Sequence, residues 1–242
     1  MLTTGVIEIR TERSGFAERC TFQPELVDDL PDVPVLPETL LSMELKAHEL
    51  SVDLHEMSQL VLSDPGATLQ ILRLAAHEYG DSSDRPSRME DCISSLGLQA
   101  CLKAAARQPV TGHTRHRAVP EIWAHSVEVA RYSSALAEAS SGAVRPEAAY
   151  LVGLLHALPL MPAVLGWNCR ERGLKDAAAA GLSLAERWRL PRCVQDFFRE
   201  ANLPGQATQW TDIVERGHQL ARRSSVQCPL YDGLTPRLHK RA

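Results

Sequence analysis

A chain of 242 residues, 44% hydrophobic, 23% charged and 5% aromatic, has the composition of a folded globular protein, which excludes disordered and fibrous classes. Its 26 Lys and Arg against 30 Asp and Glu leave a formal net charge of −4 and a pI near 6.1, which argues against a general binder of nucleic acid or of anionic membranes. The opening residues MLTTGVIEIRTERSGF lack a cationic start followed by an apolar stretch, and no window reaches the roughly 18 apolar residues of a membrane span, so a cytoplasmic protein without membrane insertion is expected.

Residues 1–30 read as an extended or strand-like arm, because Val6, Ile7 and Ile9 form a β-favouring run and no helical period is established before Leu30. Pro31, Pro34 and Pro37 make a stiff entry, and helical periodicity starts at Glu38. Leu40, Leu41, Leu45 and Leu50 are expected on one face of a first helix. Asp53 and Glu56 make an acidic capping box that opens a second helix over about 53–63, and Asp64-Pro65 ends it. Thr68 to His77 is a third helix closed at Tyr79-Gly80, and residues 89–106 are helical with a break at Gly97.

Pro109, Gly112 and Pro120 mark residues 109–120 as a linker, dividing a first lobe at 31–108 from a second at 121–223. In the second lobe Glu121 to Ser140 is a long helix, and Pro146 opens one that runs through YLVGLLHAL, apolar nearly all round, with Gly153 placed for a close crossing. Ser183 and Glu186 make a second capping box for a short helix, Pro191 opens another with Val194, Phe197 and Phe198, and a last helix covers roughly 211–223. Residues 224–242 read as a flexible tail. With no alternating strand set after residue 30, the fold class is all-α, a two-lobed helical bundle.

The six cysteines are scattered singly with no CxxC pair, so they read as reduced apolar side chains, and no cofactor and no metal ligand is assigned. Histidine is the informative residue type. His156 lies in the most hydrophobic helix, His125 follows Trp123 on another, and His218 sits on the last, so three imidazoles from three helices are candidates to converge in a bundle core, with a residual three-histidine metal site ranked below the plainer core reading. Taken singly, each reads first as a core histidine satisfied by a backbone carbonyl.

The segments LVLSDPGATLQILRLAAHEYG, RPSRMEDCISSLGLQACLKAA, EIWAHSVEVARYSSALA, EAAYLVGLLHAL and LAERWRLPRCVQDFF together resemble the HDOD family, the HD-related output domain of bacterial signalling proteins, over roughly residues 30–223. Its most specific parts are Asp64-Pro65 with LQILRLA, the SLGL turn at 95–98, Trp-x-His-Ser at 123–126, GLLH at 153–156 and Trp-x-Leu-Pro at 188–191. The resemblance implies an HD-like helical fold related to metal phosphohydrolases, whose His, His-Asp doublet, later histidines and closing Asp hold metal ions that activate water against a phosphate ester.

By that resemblance His125 matches the first histidine and His156 the first member of the doublet, while Ala157 stands where the Asp would be. Ala201-Asn202 replaces the His pair of related sequences, and His218 falls near the closing Asp. Without the bridging carboxylate, metal, nucleophile and substrate orientation are lost together, so a non-catalytic module is expected, not an enzyme.

Its expected role is recognition of another signalling protein through a helical face. The alternative is a nucleotide or cyclic-dinucleotide sensor using the degenerate pocket, for which only Arg131 and Arg192 are available as nearby cations. A surviving phosphohydrolase would need ligands outside the family pattern, such as Asp176 or Glu200. Arg107, Arg115 and Arg117, with His113 and His116, form a candidate anion-binding loop, set against the plainer reading of a solvated linker.

Overall fold

A computed structural model describes residues 33–80, 85–106, 119–140, 144–165, 177–203 and 208–223. The arm at 1–30, the loop carrying Arg107, Arg115 and Arg117, most of the expected linker, Asp176 and the tail at 224–242 lie outside the described residues. Within them the structure is all-α, with no strand.

Val33 to Leu36 enter as an extended segment. Its position is fixed by buried polar groups: Gln70 Nε2 donates to the Val33 carbonyl at 3.0 Å, and the Leu36 amide donates to Asp64 Oδ2 at 2.8 Å. Helix α1 (Pro37–Ala47) starts at proline, whose missing N–H is no loss in a first turn. Helix α2 (Leu54–Leu62) is capped by Asp53, which accepts from the amides of His55 and Glu56. The expected capping box closes on one side only, because the Glu56 carboxylate engages Lys46.

Helix α3 spans Pro65–Tyr79, three residues longer at its start than the periodicity indicates. Asp64 not only follows the end of α2 but caps α3, accepting from the amides of Gly66 at 2.7 Å and Ala67 at 3.1 Å. A Cβ on Gly66 would stand 2.0 Å from the Pro34 carbonyl oxygen, so glycine is required where the entry segment crosses the start of α3. Helices α4 (Met89–Leu96) and α5 (Leu98–Ala105) are separated at Gly97, whose φ of 82° suits glycine.

Helix α6 (Val119–Ala139) takes in Val119 and Pro120, which the sequence reading assigns to the linker. Helix α7 (Pro146–Leu155) stops sooner than the apolar run indicates. His156 caps it, and Pro159 and Pro162 turn the chain through a 3₁₀ segment, Leu158–Leu160, into α8 (Met161–Leu165). Helix α9 (Ala177–Arg187) contains both Ser183 and Glu186 in its interior, so they do not form the expected cap; the periodic start signal is overridden by a helix that already runs. Helices α10 (Arg192–Ala201) and α11 (Gln209–Arg223) complete the described chain.

Helices α1–α5 pack largely on one another, as do α6, α7, α9, α10 and α11. Most buried apolar residues nevertheless form one continuous cluster from Val33 to Ala221, with Ala137, Val144, Ala149 and Ile213 in a smaller one. The two halves are joined by Tyr150, whose hydroxyl donates to the Leu62 carbonyl at 3.1 Å, and by the Arg73 guanidinium 5.1 Å above the Trp188 ring. No described helix is long and apolar enough to cross a membrane.

Candidate functional site

The candidate site lies where α6 meets α7 and α11, the two helices it packs against most closely. That closeness has a local cause. A Cβ on Gly153 would stand 2.8 Å from the Ala130 Cα and 2.9 Å from Ser133 Oγ, and one on Gly217 would stand 2.6 Å from Ser133 Oγ. Both glycines therefore press against the small-residue face of α6 around Ala130 and Ser133. Glycine in a helix interior costs about 1 kcal/mol relative to alanine, and here it is offset by the packing of two helices onto a third.

This crossing brings His125 on α6, His156 at the end of α7 and His218 on α11 into one buried group. Nε2 of His125 and Nδ1 of His218 lie 2.9 Å apart, and the three ring centroids are separated by 4.8 to 5.8 Å. One nitrogen from each ring falls within 4.8 Å of the other two. His156 Nδ1 lies 2.5 Å from the Gly153 carbonyl. A carbonyl can only accept, so Nδ1 carries the proton and Nε2 carries the lone pair.

Burial holds the His156 imidazole well below its ordinary value, with His218 and His125 adding to the effect against the Gly153 carbonyl. Burial, His125 and Arg222 lower His218 to about 4. Both rings are therefore neutral at pH 7 and present lone pairs.

The other expected positions do not join the group. Ala157 is buried beside His156 and its methyl group offers no ligand. Asn202 is the half-buried C-cap of α10, and Glu200 stands two residues earlier. Among the described residues no carboxylate or thiolate completes the histidine set. Arg131 pairs with Glu128 in an exposed contact on the outside of α6, and Arg192 begins α10. Gly217 is placed on the last helix by sequence reading without a packing role, though a glycine inside an otherwise regular helix signals close backbone approach.

The model of the HDOD domain matches residues 33–163, more than half of the chain. The chain belongs to the HDOD domain family. Its HDOD match contains His125 and His156, while His218 lies beyond it. An uncharacterized protein of Treponema pallidum (strain Nichols) is 23% identical over 86% of this chain and 44% of its own length, so the chain spans less than half of that relative. Among solved structures, the response regulator MmoQ of Methylococcus capsulatus shares the HDOD chain's fold at a TM-score of 0.63 and 19% identity, covering 88% of this chain and 92% of that one. A virulence factor from Campylobacter jejuni is similar at a TM-score of 0.51 and 15% identity, covering 82% and 78%. At these identities the likeness is one of fold.

Proposed function

We propose that this chain is a non-hydrolytic signalling module of the HDOD family that acts by contact with another signalling protein. The observation that carries the reading is the donor set at the α6–α7–α11 crossing: three imidazoles and Ala157, with no carboxylate among the described residues to bridge two metal ions. A two-metal hydrolytic centre needs anionic oxygen between its ions to set their spacing and to hold the attacking water. The residues present do not fit that centre.

Contact rather than turnover is supported further by exposed leucines. Leu41 and Leu45 stand 57% and 63% exposed, one turn apart on α1, and Leu50 beyond it is fully exposed. Apolar side chains in water are a feature of surfaces that associate. The similarity to a response regulator agrees with a place in signal transduction. The nucleotide-sensor alternative draws less support, because the histidine group is buried and Arg131 is turned to solvent with Glu128.

The test is a phosphate-release assay on nucleotides and cyclic dinucleotides with Mn²⁺, Mg²⁺ or Fe²⁺ added in turn. No release above the protein-free rate is expected. Release that disappears in His125→Ala or His156→Ala would overturn the reading, since it would require a hydrolytic centre built on these histidines.

A further inference from the structure

The same three histidines have a use that does not depend on hydrolysis. We propose that His125, His156 and His218 bind one divalent transition-metal ion of the zinc class, held by imidazole nitrogens alone and tying α6, α7 and α11 together. The ligand atoms are already gathered, with one nitrogen from each ring within 4.8 Å of the others. Ligands about 2.1 Å from a tetrahedral zinc stand about 3.4 Å apart, so small side-chain rotations close the set.

The chemistry of the donors selects the ion. Magnesium and calcium take oxygen ligands, whereas neutral imidazole suits zinc, nickel, cobalt and copper. A second observation is the orientation of His156. Its Nδ1–H donates to the Gly153 carbonyl, which leaves Nε2 as the ligand atom. Metal-bound histidines are commonly held this way, by a carbonyl that accepts from the nitrogen not on the metal. Without a metal, His125 Nε2 and His218 Nδ1 share one proton in a hydrogen bond. With a metal, both nitrogens turn lone pairs to it and the ring protons sit on the opposite nitrogens, so neutral rings bind with no net proton released.

All three rings are buried, so an ion held between them would be enclosed by the three helices. His218 lies outside the residues matched by the HDOD model, so the complete donor set is not a feature of that match.

The experiment uses the full chain purified without a polyhistidine tag, stripped with a chelator and reloaded with Zn²⁺. One zinc per chain should be retained after excess is removed, the melting temperature should rise, and X-ray absorption should show three imidazole nitrogens at about 2.0–2.1 Å. His218→Gln with an unchanged circular dichroism spectrum should bind zinc at least about tenfold more weakly. His77→Ala, which removes an exposed histidine on α3, should bind as the parent does. No retained zinc, fewer than three imidazoles in the wild-type absorption data, or undiminished binding by folded His218→Gln would overturn the proposal. The absorption measurement decides even if the variant does not fold. Phosphate release by the zinc-loaded chain would sink the non-hydrolytic reading while leaving the site in place, and lack of zinc would do the reverse.

Discussion

Burial of His218 and His156 makes the folded chain resist protonation, and this has a direction in pH. Both have folded-state values below the unfolded imidazole value, through desolvation first, then through His218 and His125 for His156 and through His125 and Arg222 for His218. Between about 4 and 6.5 the unfolded chain binds more protons than the folded chain, so stability falls as pH drops through that window. For His218 alone the loss should be on the order of 2–3 kcal/mol by pH 4. Asp64 works in the opposite sense, since burial raises its carboxyl while the amides of Leu36, Ala67 and Gly66 and the Thr39 hydroxyl resist that rise. Urea unfolding at a series of pH values with chelator present checks this. The midpoint should fall from pH 7 to pH 5, and His218→Leu should flatten that fall; an unchanged slope in the variant would refute the account. At this scale the sequence singles out the three histidines but not their meeting. His125, His156 and His218 can be named because imidazoles inside apolar helices are conspicuous. Their convergence depends on Gly153 and Gly217 settling against Ala130 and Ser133, a fit between surfaces 20 to 90 positions apart that no local pattern encodes.

At the scale of elements, the end of α9 is unusual. The Leu190 amide bonds to the Ala185 carbonyl at 2.8 Å and the Arg189 amide to the Glu186 carbonyl at 2.9 Å, the paired bonds of a Schellman cap. The residue that must turn left-handed there is Arg189, with φ of 49°, rather than the usual glycine. An L-residue in that conformation costs roughly 1–2 kcal/mol. The motif is tolerated because Trp188 and Leu190 on either side are buried in the core. Arg189→Gly should therefore stabilise the chain by about 1 kcal/mol, read as a higher urea midpoint at constant slope. A lower midpoint would mean that the arginine side chain contributes more than its backbone costs. Pro191 marks the start of the next helix, as read from the sequence, but the cap chemistry before it is hidden because arginine carries no turn signal. The start of α3 was hidden for a related reason. Asp64-Pro65 reads as a helix terminator, yet in the fold the same pair stops α2 and starts α3.

The whole molecule raises the question of how independent its two halves are. The sequence points to two lobes joined by a proline-flanked linker, because local signals show where helices stop but not what their apolar faces bury against. The main cluster of buried apolar residues spans both halves, and Tyr150–Leu62 ties α7 to α2 while Arg73–Trp188 ties α3 to the turn after α9. Such a core should unfold as a unit. Each half carries its own reporter. Trp123 and Trp188 are buried in the second half, while Cys92 and Cys101 are buried in the first, their thiols pushed up to about 12 and about 11 by burial. In a urea series, tryptophan fluorescence and thiol labelling of Cys92 and Cys101, located by mass spectrometry, should share one midpoint. Tyr150→Phe, which removes a hydrogen bond between the halves, should lower both midpoints together by an amount corresponding to about 1 kcal/mol. Labelling of Cys92 and Cys101 that precedes the loss of tryptophan fluorescence would instead show that α1–α5 opens by itself. The shared core would then be a contact between two units, and a signal could pass through its opening.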